Sequence, residues 1–130
     1  MDTHDRRALL TTLPNPGPRL DYVVSLSGLV GRGDEGTRVS LRYIPDRWVL
    51  DPAGLDAYLD ALAGSAPGAL EDLAVMVLDD INNEVVARWV QVVVSAPTEG
   101  RAPVDHHDVM LEDRQPKWAN DALLSRLKRF

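Results

Sequence analysis

The sequence predicts an α+β fold in which an antiparallel sheet carries two helices on one face, in the order strand, strand, helix, helix, strand, strand. Three patterns lead to this prediction. Residues 37–44 alternate between apolar and polar side chains, as a half-buried antiparallel strand does. Apolar residues recur every three or four positions over residues 70–81, which is the spacing of one apolar stripe on a helix. Residues 85–95 form a long apolar run that predicts a further strand after that helix.

The first hairpin is predicted from two strand patterns joined by a turn. A short amphipathic helix over residues 4–12 precedes it and ends at the proline-rich residues 14–18, because proline removes a backbone donor. Residues 20–27 are rich in β-branched and aromatic side chains, which favours a strand. The glycine-rich residues 28–36 then form a turn into the strand over residues 37–44.

Two helices are predicted between the hairpins. The first begins at Asp51, because an aspartate before a proline supplies an N-cap followed by proline at the first helical position. Its buried face is predicted to consist of Leu55, Tyr58, Leu59 and Leu62. The second helix begins near Leu70 and runs to about Asn83, where an asparagine pair suits a C-cap.

The second hairpin begins with residues 85–95, whose apolar side chains lie on both faces of the predicted strand. We therefore expect helices to cover one face and another subunit or sheet to cover the other. Residues 104–111 are expected to complete the hairpin, and the polar residues 112–118 to form an exposed linker. Asn120 then caps a final short helix that carries Leu123, Leu124 and Leu127 on one side.

The composition predicts one domain, with an N-terminal arm at residues 1–19, a core at residues 20–112 and a helical tail at residues 113–130. The chain has 130 residues and a formal net charge of -6, which opposes binding to nucleic acids and to anionic membranes. It contains no cysteine, which excludes disulfides, thiolate metal sites and a cysteine nucleophile. Because no signal peptide or membrane-spanning run is apparent, we expect a cytoplasmic location.

Several short motifs occur in a particular order along the chain. They are Asn15, Pro16 and Tyr22; the run from Tyr43 to Asp46 before a leucine-rich helix with Tyr58; Glu71 and Asp72; Asp79 and Asp80; and Arg88 with Trp89. Together with the element order, they resemble the tunnelling fold, and in particular the short form of the nitrile reductases that reduce 7-cyano-7-deazaguanine in queuosine biosynthesis. The resemblance covers roughly residues 14–95. It implies a single tunnelling-fold domain whose subunits join at their sheet edges into a β-barrel.

The resemblance gives Glu71 a ligand-binding role. In tunnelling-fold enzymes, a glutamate at this helix start commonly holds a purine-like or pterin-like ring between subunits, because one carboxylate accepts two hydrogen bonds from neighbouring nitrogens. The alternative is that Glu71 only complements the helix dipole. Positions near the family's cofactor and substrate sites correspond here to Leu70, which replaces a histidine, and to Asp51, Gly54 and Leu55.

The family's reductase chemistry is not expected here. The cysteine that forms the covalent intermediate lies in the family between the first two strands, where this chain has only the short residues 28–36. NADPH-dependent nitrile reduction is therefore excluded, and the sequence identifies no cofactor.

Acid–base chemistry remains open at one cluster of titratable residues. His106 and His107 are the candidate catalytic residues, within a cluster that also holds Asp105, Asp108, Glu112 and Asp113. On a strand, Asp105 and His107 share one face, and His106 and Asp108 share the other. A metal site would need ligands from elsewhere, and we predict none; a solvated hairpin or a subunit contact is the alternative role of the histidines.

Two functional hypotheses follow. In the first, the protein is an enzyme of small-molecule metabolism that binds a purine, deazapurine or pterin-like heterocycle through Glu71 and acts without a cysteine. In the second, it is a non-catalytic ligand-binding protein or the partner subunit of a catalytic paralogue. Independently of this choice, the open sheet edges predict a homo-oligomer, and we expect no nucleic acid or membrane partner.

Overall fold

A computed structural model describes residues 2–30, 36–63, 68–97, 103, 104 and 106–127. The helices are α1 (Thr3–Ala8), α2 (Pro52–Leu62), α3 (Leu70–Val85) and α4 (Asp121–Leu124). The strands are β1 (Thr12–Pro14), β2 (Val24–Leu29), β3 (Arg38–Ile44), β4 (Trp48–Leu50), β5 (Trp89–Pro97) and β6 (His106–Arg114). The fold is α+β, with helices packed on an antiparallel sheet, as predicted.

The main sheet has four antiparallel strands in the order β2-β3-β5-β6. Its register pairs Leu26 with Leu41, Leu41 with Val92, and Val92 with Leu111, so an apolar row crosses the sheet. Both predicted hairpins, β2 with β3 and β5 with β6, are confirmed. The glycine-rich turn of the first hairpin lies partly outside the described residues.

The core lies between one face of this sheet and the helices α2 and α3. We call this face the inner face. Its central strands contribute Val39, Leu41, Tyr43, Val90, Val92 and Val94, which are all buried. The helices contribute the predicted Leu55, Tyr58, Leu59 and Leu62 from α2, and Leu73, Ala74, Val77 and Ile81 from α3. The apolar stripe predicted on the second helix therefore packs on the sheet.

The N-terminal arm differs from its prediction. The helix predicted over residues 4–12 ends at Ala8, and β1 follows and pairs with β4 in a small second sheet. Leu10, between α1 and β1, is buried in the core. β1 could not be predicted from the residues alone, because three residues ending at a proline carry no strand periodicity.

Several element ends also differ from their predictions: β2 begins at Val24 and not at residue 20, and β5 begins at Trp89 and not at residue 85. α3 passes the asparagine pair and ends at Val85, and its C-cap residue Val86 adopts left-handed backbone angles (φ 50°, ψ 55°). β6 continues through Glu112 to Arg114, where the sequence predicted a linker. An edge strand exposes one side to solvent, so its polar residues give no contrast with a loop.

The C-terminal tail folds back onto the start of the chain. Asn120 caps α4 as predicted, since its Oδ1 accepts a hydrogen bond from the Leu123 amide. Trp118 Nε1 and Asn120 Nδ2 both donate to the carboxylate of Asp21, just before β2. The C-terminal tail is thus attached to the segment that precedes β2, the first strand of the main sheet.

The outer face of the sheet is partly covered within the single chain. Trp89 and Val93 on β5 are buried there, so no second subunit is needed to cover them, whereas Met110 on β6 is 63% exposed. β2 and β6 form the two edges of the main sheet. Among the described helices, none is long and apolar enough to cross a membrane.

Candidate functional site

Glu71 lies in the first turn of α3, and its side chain is 65% exposed. The helix begins without a side-chain cap, because its N-cap residue is Ala69. The amide groups of the first turn therefore remain next to the Glu71 carboxylate. Hydrogen-bond donors and a charged acceptor are present together at this helix start.

His107 meets Glu71 from the edge strand β6. Its Nε2 atom lies 3.3 Å from Glu71 Oε1. His107 pairs with Ala96 in the β5–β6 register and lies on the inner face with Val109 and Leu111. Strand β6 therefore brings a candidate catalytic histidine to the predicted ligand anchor.

The two side chains line a surface cleft of about 400 Å³, which we call the Glu71 cleft. A volume of this size is within the range of roughly 300–1,000 Å³ that is usual for small-molecule sites. Its lining consists of Val30, Thr37, Gly68, Ala69, Leu70, Glu71, Leu73, Ala96 and His107. Three residues predicted for the site, Leu70, Glu71 and His107, thus come together in one cleft.

His106 faces the other way. Its Nε2 atom lies 2.7 Å from Asp108 Oδ2, and Ser95 Oγ donates a hydrogen bond of 2.5 Å to Asp108 Oδ1. These hydrogen bonds, that from Ser95 first, hold the pKa of the exposed Asp108 below its ordinary value. Because the aspartate lies between the serine and the histidine, the histidine cannot take the serine proton, and the trio lacks the order of a nucleophilic triad.

The titratable cluster on β6 therefore divides between the two faces of the sheet, as the strand alternation predicted for His106 and His107. Asp105 lies outside the described residues. Among the residues that the structure describes, no three histidine, aspartate or glutamate side chains are grouped so that they could hold a metal ion.

Asp51, Gly54 and Leu55 lie at the start of α2, about 16 Å of helix away from the C-terminal end of α2. Asp51 is the predicted N-cap and accepts a hydrogen bond of 3.1 Å from the Ala53 amide. Gly54 packs against the N-terminal arm: a Cβ there would lie 2.7 Å from the Leu9 carbonyl oxygen. In the single chain, these residues cap α2 and pack it against the N-terminal arm. Their ligand-binding role stays a prediction.

A buried polar network at Asp80 was not recognised from the sequence. The Asp80 carboxylate is 1% exposed and accepts hydrogen bonds from Arg6, Arg7 and Tyr58. Burial raises the pKa of Asp80, but the hydrogen bonds from Arg6, Tyr58 and Arg7 outweigh it and hold this pKa below its ordinary value. Burial, and then the contact with Asp80, raise the pKa of Tyr58. The network attaches α1 to α2 and α3.

Other residues that carry the family resemblance also contact one another. Tyr22 donates a hydrogen bond to Asn15 Oδ1, and Asn15 Nδ2 donates to the carbonyl oxygen of Asp46 at 2.7 Å. The Asp46 carboxylate in turn accepts from Arg88. These motif residues hold the arm, the β3–β4 turn and the start of β5 together, whereas Glu71 is exposed in a cleft. Among them, Glu71 is the one whose position suits ligand binding.

Further clefts are formed by other residues, among them one of about 520 Å³ lined by Thr3, His4, Arg7, Ala8, Asn83 and Glu84. One of about 590 Å³ is lined by Gln115, Pro116, Lys117 and Trp118. Another of about 310 Å³ is lined by Asp46, Arg47, Trp48 and Val86. None of these linings includes a residue predicted for the site, so the Glu71 cleft is the candidate functional site. In comparisons with known proteins, no protein-family model and no curated protein matches the chain.

Proposed function

We propose that this protein is a divergent member of the tunnelling-fold proteins that binds a planar nitrogen heterocycle, such as a purine, deazapurine or pterin, through Glu71. The observation that carries the proposal is the meeting of Glu71, Leu70 and His107 in one cleft of about 400 Å³. Two independent features of the sequence indicate these residues. One was the family resemblance, which selected Glu71 and Leu70, and the other was the titratable cluster, which selected His107.

The element order supports the fold part of the proposal. Two hairpins flank α2 and α3, and the sheet order is sequential, β2-β3-β5-β6. β2 and β6 each carry a sheet edge that pairs with no other described strand, and such edges favour pairing with further copies. We propose a homo-oligomer that joins these edges into a barrel. Light scattering at micromolar concentration is expected to give a multiple of the 14.3 kDa chain mass, and a monomer would contradict the proposal.

The chemistry of the cleft supports binding through paired hydrogen bonds. A carboxylate accepts from two neighbouring N–H groups, and charge-assisted bonds of this kind are stronger than neutral ones. Apolar residues, including Leu70 and Leu73, surround the carboxylate and can contact the faces of a flat ring. In this proposal, hydrogen bonds to Glu71 orient the ring, and the neighbouring residues provide apolar surface for the faces of the ring.

Titration calorimetry with guanine, 7-deazaguanine and pterin tests the proposal. At least one of these compounds is expected to bind, and Glu71→Gln is expected to weaken that binding by about 2–4 kcal/mol, roughly thirty-fold to several hundred-fold, because an acceptor is replaced by a donor. Asp72→Asn is the matched control, since Asp72 is also in the first turn but does not line the cleft. Equal binding by the parent and Glu71→Gln would contradict the role of Glu71.

Catalysis is a second question for the same site. His107 favours an enzyme, because it is a titratable group beside the anchor. A non-catalytic binding or partner subunit is favoured by the orientation of His106 away from the cleft. Mass spectrometry of the bound compound after incubation separates the two: a changed mass or a new isomer indicates an enzyme, and recovery of the unchanged compound indicates a binding protein.

A further inference from the structure

Two polar bridges connect α3 with the edge strand β6. Glu71 contacts His107, and Asn82 Nδ2 donates to Asp113 Oδ2, each at 3.3 Å. Glu71 and Asn82 are about three helical turns apart and therefore share one side of α3. His107 and Asp113 share the inner face of β6, because alternate residues of a strand face the same way. The first bridge lies in the Glu71 cleft, and the second lies outside it.

We propose that His107 is a positioning residue for the Glu71 carboxylate, fixing its direction so that the remaining acceptor positions face a ligand. The inference rests on the proposed function of Glu71 as the ligand anchor. It adds a role for a residue on a different element, which neither motif nor spacing connects with Glu71.

The contact favours a hydrogen on one nitrogen of the imidazole ring. An ionised carboxylate oxygen only accepts hydrogen bonds, so its position 3.3 Å from His107 Nε2 is favourable when that nitrogen carries the hydrogen. In the neutral imidazole, the free electron pair then lies on Nδ1. The Glu71 contact thus favours one tautomer of His107.

The same contact leaves enough acceptor capacity for a ligand. A carboxylate offers about four lone-pair positions, and the contact with His107 involves at most one of them, on Oε1. Both oxygens can still accept from a ligand with two adjacent N–H groups. Because the Glu71 side chain is 65% exposed, it would otherwise lose rotamer freedom when a ligand binds, and prior contact with His107 reduces that loss.

A purely structural role for His107 makes a different prediction. If the bridge only fastened β6 to α3, its loss would lower stability as the loss of the Asn82–Asp113 bridge does, and ligand affinity would stay unchanged. Asn82→Ala is therefore the matched control. It removes a bridge of the same length between the same two elements, away from the cleft.

Calorimetric titration with the tightest binder among guanine, 7-deazaguanine and pterin tests the inference. His107→Ala is expected to weaken binding about three- to tenfold, the effect of losing one polar contact to a charged group. His107→Gln is expected to restore most of the affinity, because its side-chain amide can also donate to Glu71. Asn82→Ala is expected to leave the affinity unchanged. In a Glu71→Gln background, His107→Ala is expected to have no further effect, because the group it positions has been altered.

The failures of the inference and of the proposed function are distinguishable. If Glu71→Gln weakens binding while His107→Ala does not, Glu71 is the anchor and the positioning role of His107 is wrong. If none of the three compounds binds, both are wrong. Nitrogen NMR of the His107 ring in the free protein adds a test without ligand. Its Nε2 signal is expected to shift in Glu71→Gln, and an unchanged signal would overturn the inference.

Discussion

The hydroxyl of Tyr58 donates a hydrogen bond of 2.6 Å to the carboxylate of Asp80, joining α2 to α3 inside the protein. Tyr58 is buried completely, and the Asp80 side chain is 1% exposed. Arg6 and Arg7 of α1 also donate hydrogen bonds to this carboxylate. α1 has no buried residue of its own, so this carboxylate is its main attachment to the helices.

Removing this network is expected to destabilise the protein. Asp80→Asn keeps the size of the side chain but loses its charge, so the partly buried Arg6 and Arg7 lose their counter-ion. We expect a loss of about 2–3 kcal/mol in the free energy of unfolding. Tyr58→Phe is expected to cost about 1–2 kcal/mol, because it removes one hydrogen bond to a charged group.

Urea denaturation measures both effects. Asp79→Asn is the matched control, because Asp79 is the neighbouring aspartate and is exposed. It is expected to change stability little. An Asp80→Asn variant that unfolds at the parental urea concentration would show that the network contributes nothing.

Acid is expected to release the same network. The folded-state pKa of Asp80 lies below its ordinary value of 3.8, so the folded protein binds fewer protons than the unfolded chain. Its contribution is therefore complete above about pH 5 and is lost as the pH falls through the folded-state pKa. The stability difference between the parent and Asp80→Asn should shrink between about pH 5 and pH 2. A difference that stays constant over this range would contradict the lowered pKa.

Replacing Val86 with glycine is expected to stabilise the protein. Val86 has φ 50°, a left-handed conformation that is costly for a β-branched residue, and its side chain is 53% exposed. Glycine is the usual residue after a helix end in this conformation. We expect a gain of about 0.5–1 kcal/mol, measured as a higher urea midpoint.

The comparison for this variant is Val75→Gly. Val75 is similarly exposed but lies inside α3, where glycine is unfavourable. This variant is expected to lose stability. If both glycine variants lose stability equally, strain at Val86 is not significant.

Gly54→Ala is expected to loosen the N-terminal arm. The added Cβ would lie 2.7 Å from the Leu9 carbonyl oxygen and 2.8 Å from the Thr11 amide nitrogen, so the backbone of the arm must move. Overpacking of this kind costs about 1–3 kcal/mol. Thermal denaturation checks the effect, with Gly68→Ala as the control because nothing lies within 4 Å of a Cβ there. If the stability of Gly54→Ala is unchanged, packing against the arm does not explain the glycine at this position. The predicted ligand contact then remains as the explanation.

Local sequence signals predicted the main elements. The N-caps at Asp51 and Asn120 and the apolar stripe of α3 depend on neighbouring residues, and all three are observed. The same helical spacing also indicates that Asp80 is buried, which was not predicted. Asp80 lies three residues after Val77, on the buried side of α3, where a carboxylate requires partners.

Contacts between distant elements could not be predicted in this way. Alternation placed His106 and His107 on opposite faces of a strand, but the residues alone do not tell which face packs against α3. That choice depends on the β5–β6 register, since a shift of one residue exchanges the faces. The contact between His107 and Glu71 can therefore be seen only in the structure. The same is true of the β1–β4 pairing and of the attachment of the tail to Asp21.

The most direct test of Glu71 as the ligand anchor is a crystal structure of the protein soaked with the tightest-binding of guanine, 7-deazaguanine and pterin. The ring is expected in the Glu71 cleft of an oligomer, with two of its nitrogens about 2.7–2.9 Å from the Glu71 carboxylate oxygens, the usual length of a charge-assisted bond. A ring bound elsewhere, with no nitrogen in contact with Glu71, would contradict the proposed function.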